Sequence, residues 1–293
     1  MLFAATNPAE TFSPEVQEYQ KIMVFVLLAL LPVAVGIFGR LLWKIETEGT
    51  RTRPDLFALP EIMAVCVVFG FIFFPVAISK AMAFFVPVPA PSAPPEPITV
   101  SRMLNNMLML SLPVVGILSI VVMRGGRLRD LYTPGRARFF ASLGWGLGLA
   151  MLAFSLTTLT KVLVIQFMGP DRQKLVQGFE TAISGGNQGV IAAIAFSAVV
   201  VAPICEEILF RGSLYPVLSR VLGRGPSAVI SALVFALVHD TYSDAPSLAV
   251  LALCFTIGYE VTGSLLVPIF MHAAFNGISL VQQWLLLSAA GGG

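Results

Sequence analysis

Apolar runs of about twenty residues recur along the chain, the length an α-helix needs to cross the hydrocarbon core of a bilayer. Eight stretches read this way: 22–43, 62–86, 104–123, 140–167, 189–210, 226–240, 247–263 and 265–287, the sixth and seventh being short. Hydrophobic residues make up 57% of the chain and charged residues 12%, where a soluble globular chain carries about 25% charged residues. The expectation is an all-α polytopic membrane protein with about eight transmembrane helices, multi-pass in the cell membrane.

Between the runs, residues 87–97 form a proline-rich linker that must be extended rather than helical. A basic loop follows at 124–138, and the polar segment 168–188 suits a short surface helix. No internal repeat stands out. The net charge of +2, without a basic stripe carrying aromatics, excludes nucleic acid as an expected partner. Cys66, Cys205 and Cys254 lie in apolar runs without CxxC spacing, which argues against a disulfide framework or a thiolate metal site. Cys205 adjoins Glu206, but buried cysteine usually behaves as a small hydrophobe. No basic segment precedes the first apolar run in the manner of a signal peptide. With eight spans, the loops after spans one, three and five, with their flanks, hold twelve of the eighteen basic residues. Both termini are then expected outside.

Three polar islands interrupt the C-terminal apolar runs. They are Glu206-Glu207-Ile208-Leu209-Phe210-Arg211, Phe235-Ala-Leu-Val-His239 and His272-Ala-Ala-Phe-Asn276, and they contain both histidines of the chain. Such groups cost a few kcal/mol each in a bilayer and mark functional sites there. Glu207 and Arg211, four apart, share a helix face and form a natural ion pair. Glu206 is turned by about 100° from Glu207 and needs a partner on another helix. Glu206 and His239 lie about equally far from the turn at 220–226, so on antiparallel helices they share one depth, about 20 Å from it. A carboxylate facing an imidazole there is a general-base pair for water. His272 and Asn276 share a face beside Phe275, and their side-chain N–H groups suit an oxyanion hole. Either histidine alone has a plain reading as an interhelical hydrogen bond. The three islands together point to a catalytic or transport site. Glu260 reads as interfacial, Lys80 and Lys161 as snorkelling to the helix ends, and Trp43, Trp145 and Trp284 as interface belts. Asp240 and Asp244 fall in a polar loop after His239, where a carboxylate is more often solvated.

In this order, EExxxR, FxxxH and HxxxN resemble the motifs of the CPBP family. That family comprises the type 2 CAAX prenyl endopeptidases and the bacteriocin-processing or self-immunity proteins with an Abi domain. The likeness covers about 189–280. It implies an intramembrane glutamate-type endopeptidase, in which Glu206 and His239 activate the hydrolytic water and His272 and Asn276 stabilise the tetrahedral oxyanion. Glu207 and Arg211 would position the first helix, with Phe235 in support. The family was once grouped with metalloproteases, and Glu206 with two histidines matches a three-ligand zinc site. The His-Glu-x-x-His pattern is absent, so no cofactor is expected.

The resulting division is an N-terminal helical part at 1–140, a helix and polar loop at 141–188, and a protease core at 189–287. The expected partners are a membrane-associated protein or peptide substrate and the lipid bilayer. The competing expectations are a zinc-dependent membrane protease and a non-catalytic protein, either a scaffold or a transporter using Glu206 and His239 as proton carriers.

Overall fold

All regular structure among the described residues is helical. The computed structural model describes residues 14–49, 65, 67, 69–70, 98–123, 136–168, 174–239, 241 and 243–291. Its helices are α1 (Pro14–Glu48), α2 (Val100–Met123), α3 (Arg136–Met168), α4 (Lys174–Ser184), α5 (Gln188–Leu222), α6 (Arg224–Leu237), α7 (Ala245–Thr262) and α8 (Leu266–Gly291).

Five of these, α1, α2, α3, α5 and α7, are long and apolar enough to cross a membrane. The chain is thus a multi-pass membrane protein. Most of the expected span at 62–86, the linker at 87–97 and most of the arginine loop lie outside the described residues. The sixth expected span is a helix of 14 residues. At 1.5 Å per residue it measures about 21 Å, short of a bilayer core of about 30 Å.

The helix expected to end at residue 210 runs on to Leu222. It contains two π-helical turns, Ser197–Val201 and Phe210–Leu214, which set Pro203 and Pro216 inside a continuous helix. A proline ring meets the carbonyl four residues back, and the wider π turn relieves that clash. The helix stops where Gly223 adopts φ 76°, a conformation that side-chain-bearing residues rarely tolerate.

Helix α3 lies at the centre of the packing, against α1, α7 and α8. Leu149, Ala150 and Ala153 meet Phe255, Val267 and Met271 in an apolar cluster there. A Cβ on Gly146 would stand 2.5 Å from Phe270 Cβ, so only glycine permits this approach of α3 to α8. The polar segment 168–188 does contain a short helix, α4. Its Phe179 and Ala182 are buried against Met103 and Met107 of α2 and Val190 and Ile194 of α5. The indoles of Trp43, Trp145 and Trp284 are exposed, as outward-facing residues of a membrane protein should be.

Candidate active site

The first π turn rearranges backbone hydrogen bonding beside the site. Ala202 N–H donates to Ser197 O, five residues back. The next residue, Pro203, has no N–H to give to Ala198 O. Asn276 Nδ2 of α8 donates to that carbonyl at 2.7 Å. The pairing joins α8 to α5 about two turns before the glutamates and fixes the Asn276 amide, leaving its second N–H for another acceptor.

Glu207 and Arg211 are both fully buried. Arg211 Nη1 donates to Glu207 Oε1 at 3.0 Å, as the spacing predicts. Arg211 Nη2 donates to Ala252 O of α7 at 2.8 Å. The guanidinium carbon stands 4.9 Å from the Phe235 ring centroid and 5.2 Å from that of Phe255, distances at which ring faces attract a cation. Glu207 Oε1 also lies 3.0 Å from His272 Nδ1. The pair therefore joins α5, α7 and α8. A carboxylate oxygen only accepts, so His272 carries its proton on Nδ1 in this bond. Phe255 stacks on the imidazole at 5.1 Å.

His239 is not within α6, as its expected span implied, but just beyond the helix end at Leu237. Its Nδ1 lies 2.7 Å from Phe235 O. That carbonyl is one of the last four of the helix, which have no donor within the helix. A carbonyl can only accept, so Nδ1 carries the proton and the neutral ring keeps its lone pair on Nε2. Phe235 thus supports the site in two ways, through its carbonyl on His239 and through its ring on Arg211.

Glu206, Phe235, His239, His272 and Asn276 line one cavity of about 560 Å³. The four expected catalytic groups come together there, from α5, the end of α6 and α8. Glu206 Oε2 is buried without a protein hydrogen-bond partner. Glu207, by contrast, is absent from the lining. The two adjacent carboxylates therefore occupy separate environments, as their angular offset suggested. Cys205 is buried and outside the lining. Among the described residues no three of His, Cys, Asp and Glu converge in a way that would hold a metal ion.

Two readings of the sequence need correction. Lys161 does not snorkel: its Nζ lies 2.6 Å from Asp244 Oδ1. Asp244 is not solvated but buried, and accepts from Thr241 Oγ1 at 2.8 Å. Glu260, near the end of α7, is buried and accepts from Tyr215 O–H at 2.7 Å. Lys161, Asp244, Thr157 and Ser247 also line the cavity. The signal for Lys161 was available, since a lysine inside an apolar run is itself a mark of function. Lys80 and Asp240 lie outside the described residues.

Fold and site together define a multi-pass helical membrane protein with a cavity lined by a glutamate, two histidines and an asparagine. Residues 188–278, the segment that holds the three motifs, are similar to the family model of the type II CAAX prenyl endopeptidases, Rce1-like. A 101-residue stretch is 29% identical to the membrane-embedded CAAX protease MroQ of Staphylococcus aureus (strain USA300). The alignment covers 32% of this chain and 41% of that relative. No solved structure matches significantly.

Proposed function

We propose that the protein is an intramembrane endopeptidase that hydrolyses a peptide bond of a membrane-associated protein or peptide. The observation that carries this reading is the single cavity lined by Glu206, His239, His272 and Asn276. Its family match and its relative, which is named a CAAX protease, support the same class.

Glu206 takes one proton of a water whose oxygen attacks the scissile carbonyl carbon, while His239 Nε2 accepts a hydrogen bond from the water's other O–H and orients it. The negative charge then forms on the carbonyl oxygen. The second N–H of Asn276 and the Nε2–H of a protonated His272 donate to it, the latter with Nδ1–H held by Glu207. Donors fixed before the reaction need not reorganise as the charge develops. The proton taken from water passes to the leaving amine, which separates as the C–N bond breaks. In this mechanism the water needs no metal.

The short α6 supports a site open to water. Beyond Leu237 the chain leaves the helix about 21 Å from its start, and non-helical backbone at such a depth is tolerated where it is buried in protein or lines an aqueous cavity. We keep about eight spans with both termini outside, a count that takes the short α6 as one of the crossings.

The test uses purified protein in liposomes and synthetic peptides bearing a C-terminal farnesylated cysteine motif, beside the same peptides without the lipid. Mass spectrometry of the products should reveal cleavage within the peptide by the wild type and none by Glu206→Gln. Proton-driven solute uptake without cleavage of either peptide set would replace this reading with a transporter.

A further inference from the structure

The loop that carries His239 is held at both ends. At its start the imidazole grips the end of α6 through Phe235 O. At its far end Asp244, the residue preceding α7, receives Lys161 Nζ at 2.6 Å and Thr241 Oγ1 at 2.8 Å. Asp244 O also accepts from Ser247 Oγ at 2.8 Å, closing the first turn of α7. Lys161 belongs to α3, the helix against which α1, α7 and α8 pack. The ammonium thus ties the loop to a helix packed against three others.

Burial makes this tie firmer than a surface ion pair. The Asp244 side chain is 5% exposed and that of Lys161 24%. Exposed pairs are commonly worth under about 1 kcal/mol, because water and salt screen them. Both residues line the cavity that His239 also lines.

We propose that Lys161, through Asp244, is a positioning residue that sets the placement of His239 against Glu206. This inference rests on the peptidase reading above. It concerns alignment of the general base, not contact with substrate. A displacement of about 1 Å in a catalytic group can cost about 100-fold in rate.

The test uses full-length Lys161→Met, Lys161→Arg and the double variant Lys161→Met/Asp244→Asn, the last avoiding a buried unpaired carboxylate. Two readouts are taken on folded protein in liposomes. The first is the steady-state split on the cleaved peptide. Lys161→Met and the double variant should lose about 10-fold to 100-fold in kcat with KM nearly unchanged, and Lys161→Arg should recover most of it. The second needs no turnover. The chain has only two histidines, so diethyl pyrocarbonate modification can be followed at each by mass spectrometry. Lys161→Met should speed modification of His239 several-fold and leave the buried His272 unchanged. A loss confined to KM, or an unchanged His239 rate in a variant whose kcat has fallen, would overturn the proposal. If the wild type cleaves no peptide, the peptidase reading fails, whereas the His239 rates still decide whether Lys161 holds the loop.

Discussion

Glu206 and Glu207 are chain neighbours with opposite surroundings. Glu207 is locked between Arg211 and His272, and Glu206 faces the cavity with one oxygen unpartnered. Their substitutions should therefore separate. Glu207→Gln and Arg211→Ala should lower stability by about 3–5 kcal/mol, because each leaves a buried charge without its partner. Thermal melts in detergent should register this as a clear fall for both variants and little change for Glu206→Gln. Equal melting losses for the two glutamates would mean that the division of roles is wrong. This part of the site was legible in the sequence because it depends only on helical angles: four residues for the ion pair, one residue for the divergent carboxylate. The bond from Glu207 to His272 was not legible, because nothing local links residues separated by three helix boundaries.

At the scale of elements, the π turn at Ser197–Val201 ties the asparagine to the glutamate helix. Pro203 leaves Ala198 O without its backbone donor, and Asn276 takes that place. Asn276→Ala should cost about 1–3 kcal/mol by orphaning the carbonyl. Adding Pro203→Ala supplies a backbone N–H at the position the carbonyl lacks. The double variant should melt higher than Asn276→Ala alone while remaining impaired in cleavage. If Pro203→Ala gives no recovery, the backbone account of Asn276 fails. Apolar periodicity located α2, α3 and α7 well, but it missed the continuation of α5 to Leu222. Two prolines and Gly212 look like helix breaks in a sequence, and widened turns absorb them in the fold. The end of α6 was missed for a related reason. FxxxH has helical spacing, yet the histidine acts from outside the helix, on its last turn.

Over the whole molecule, the question is whether water reaches a site surrounded by apolar helices. Ser279 lines the cavity, while Val281, two residues later on α8, is exposed on the outside of the bundle. With Cys66, Cys205 and Cys254 replaced by alanine, single cysteines at these positions form a matched pair. A small, charged, water-soluble thiol reagent should label position 279 in liposomes and spare 281, which faces lipid. Labelling of 281 alone would contradict an aqueous cavity on this side of α8. The overall class was legible from composition, because a chain that is 57% hydrophobic and 12% charged has few ways to exist outside a membrane. The Lys161–Asp244 tie was not, because each residue taken singly has a commonplace explanation at a helix end or in a loop.

The central claim is that Glu206 activates water in the cavity without a metal. The most direct measurement is single-turnover cleavage by wild type and Glu206→Gln, in liposomes, after exhaustive chelation and metal analysis. The account predicts that metal-free wild type cleaves and that Glu206→Gln is slower by about 10² to 10⁴ or more, the worth of a positioned acid–base group. Cleavage that is lost on chelation and restored by stoichiometric zinc, or Glu206→Gln turning over like the wild type, would contradict it.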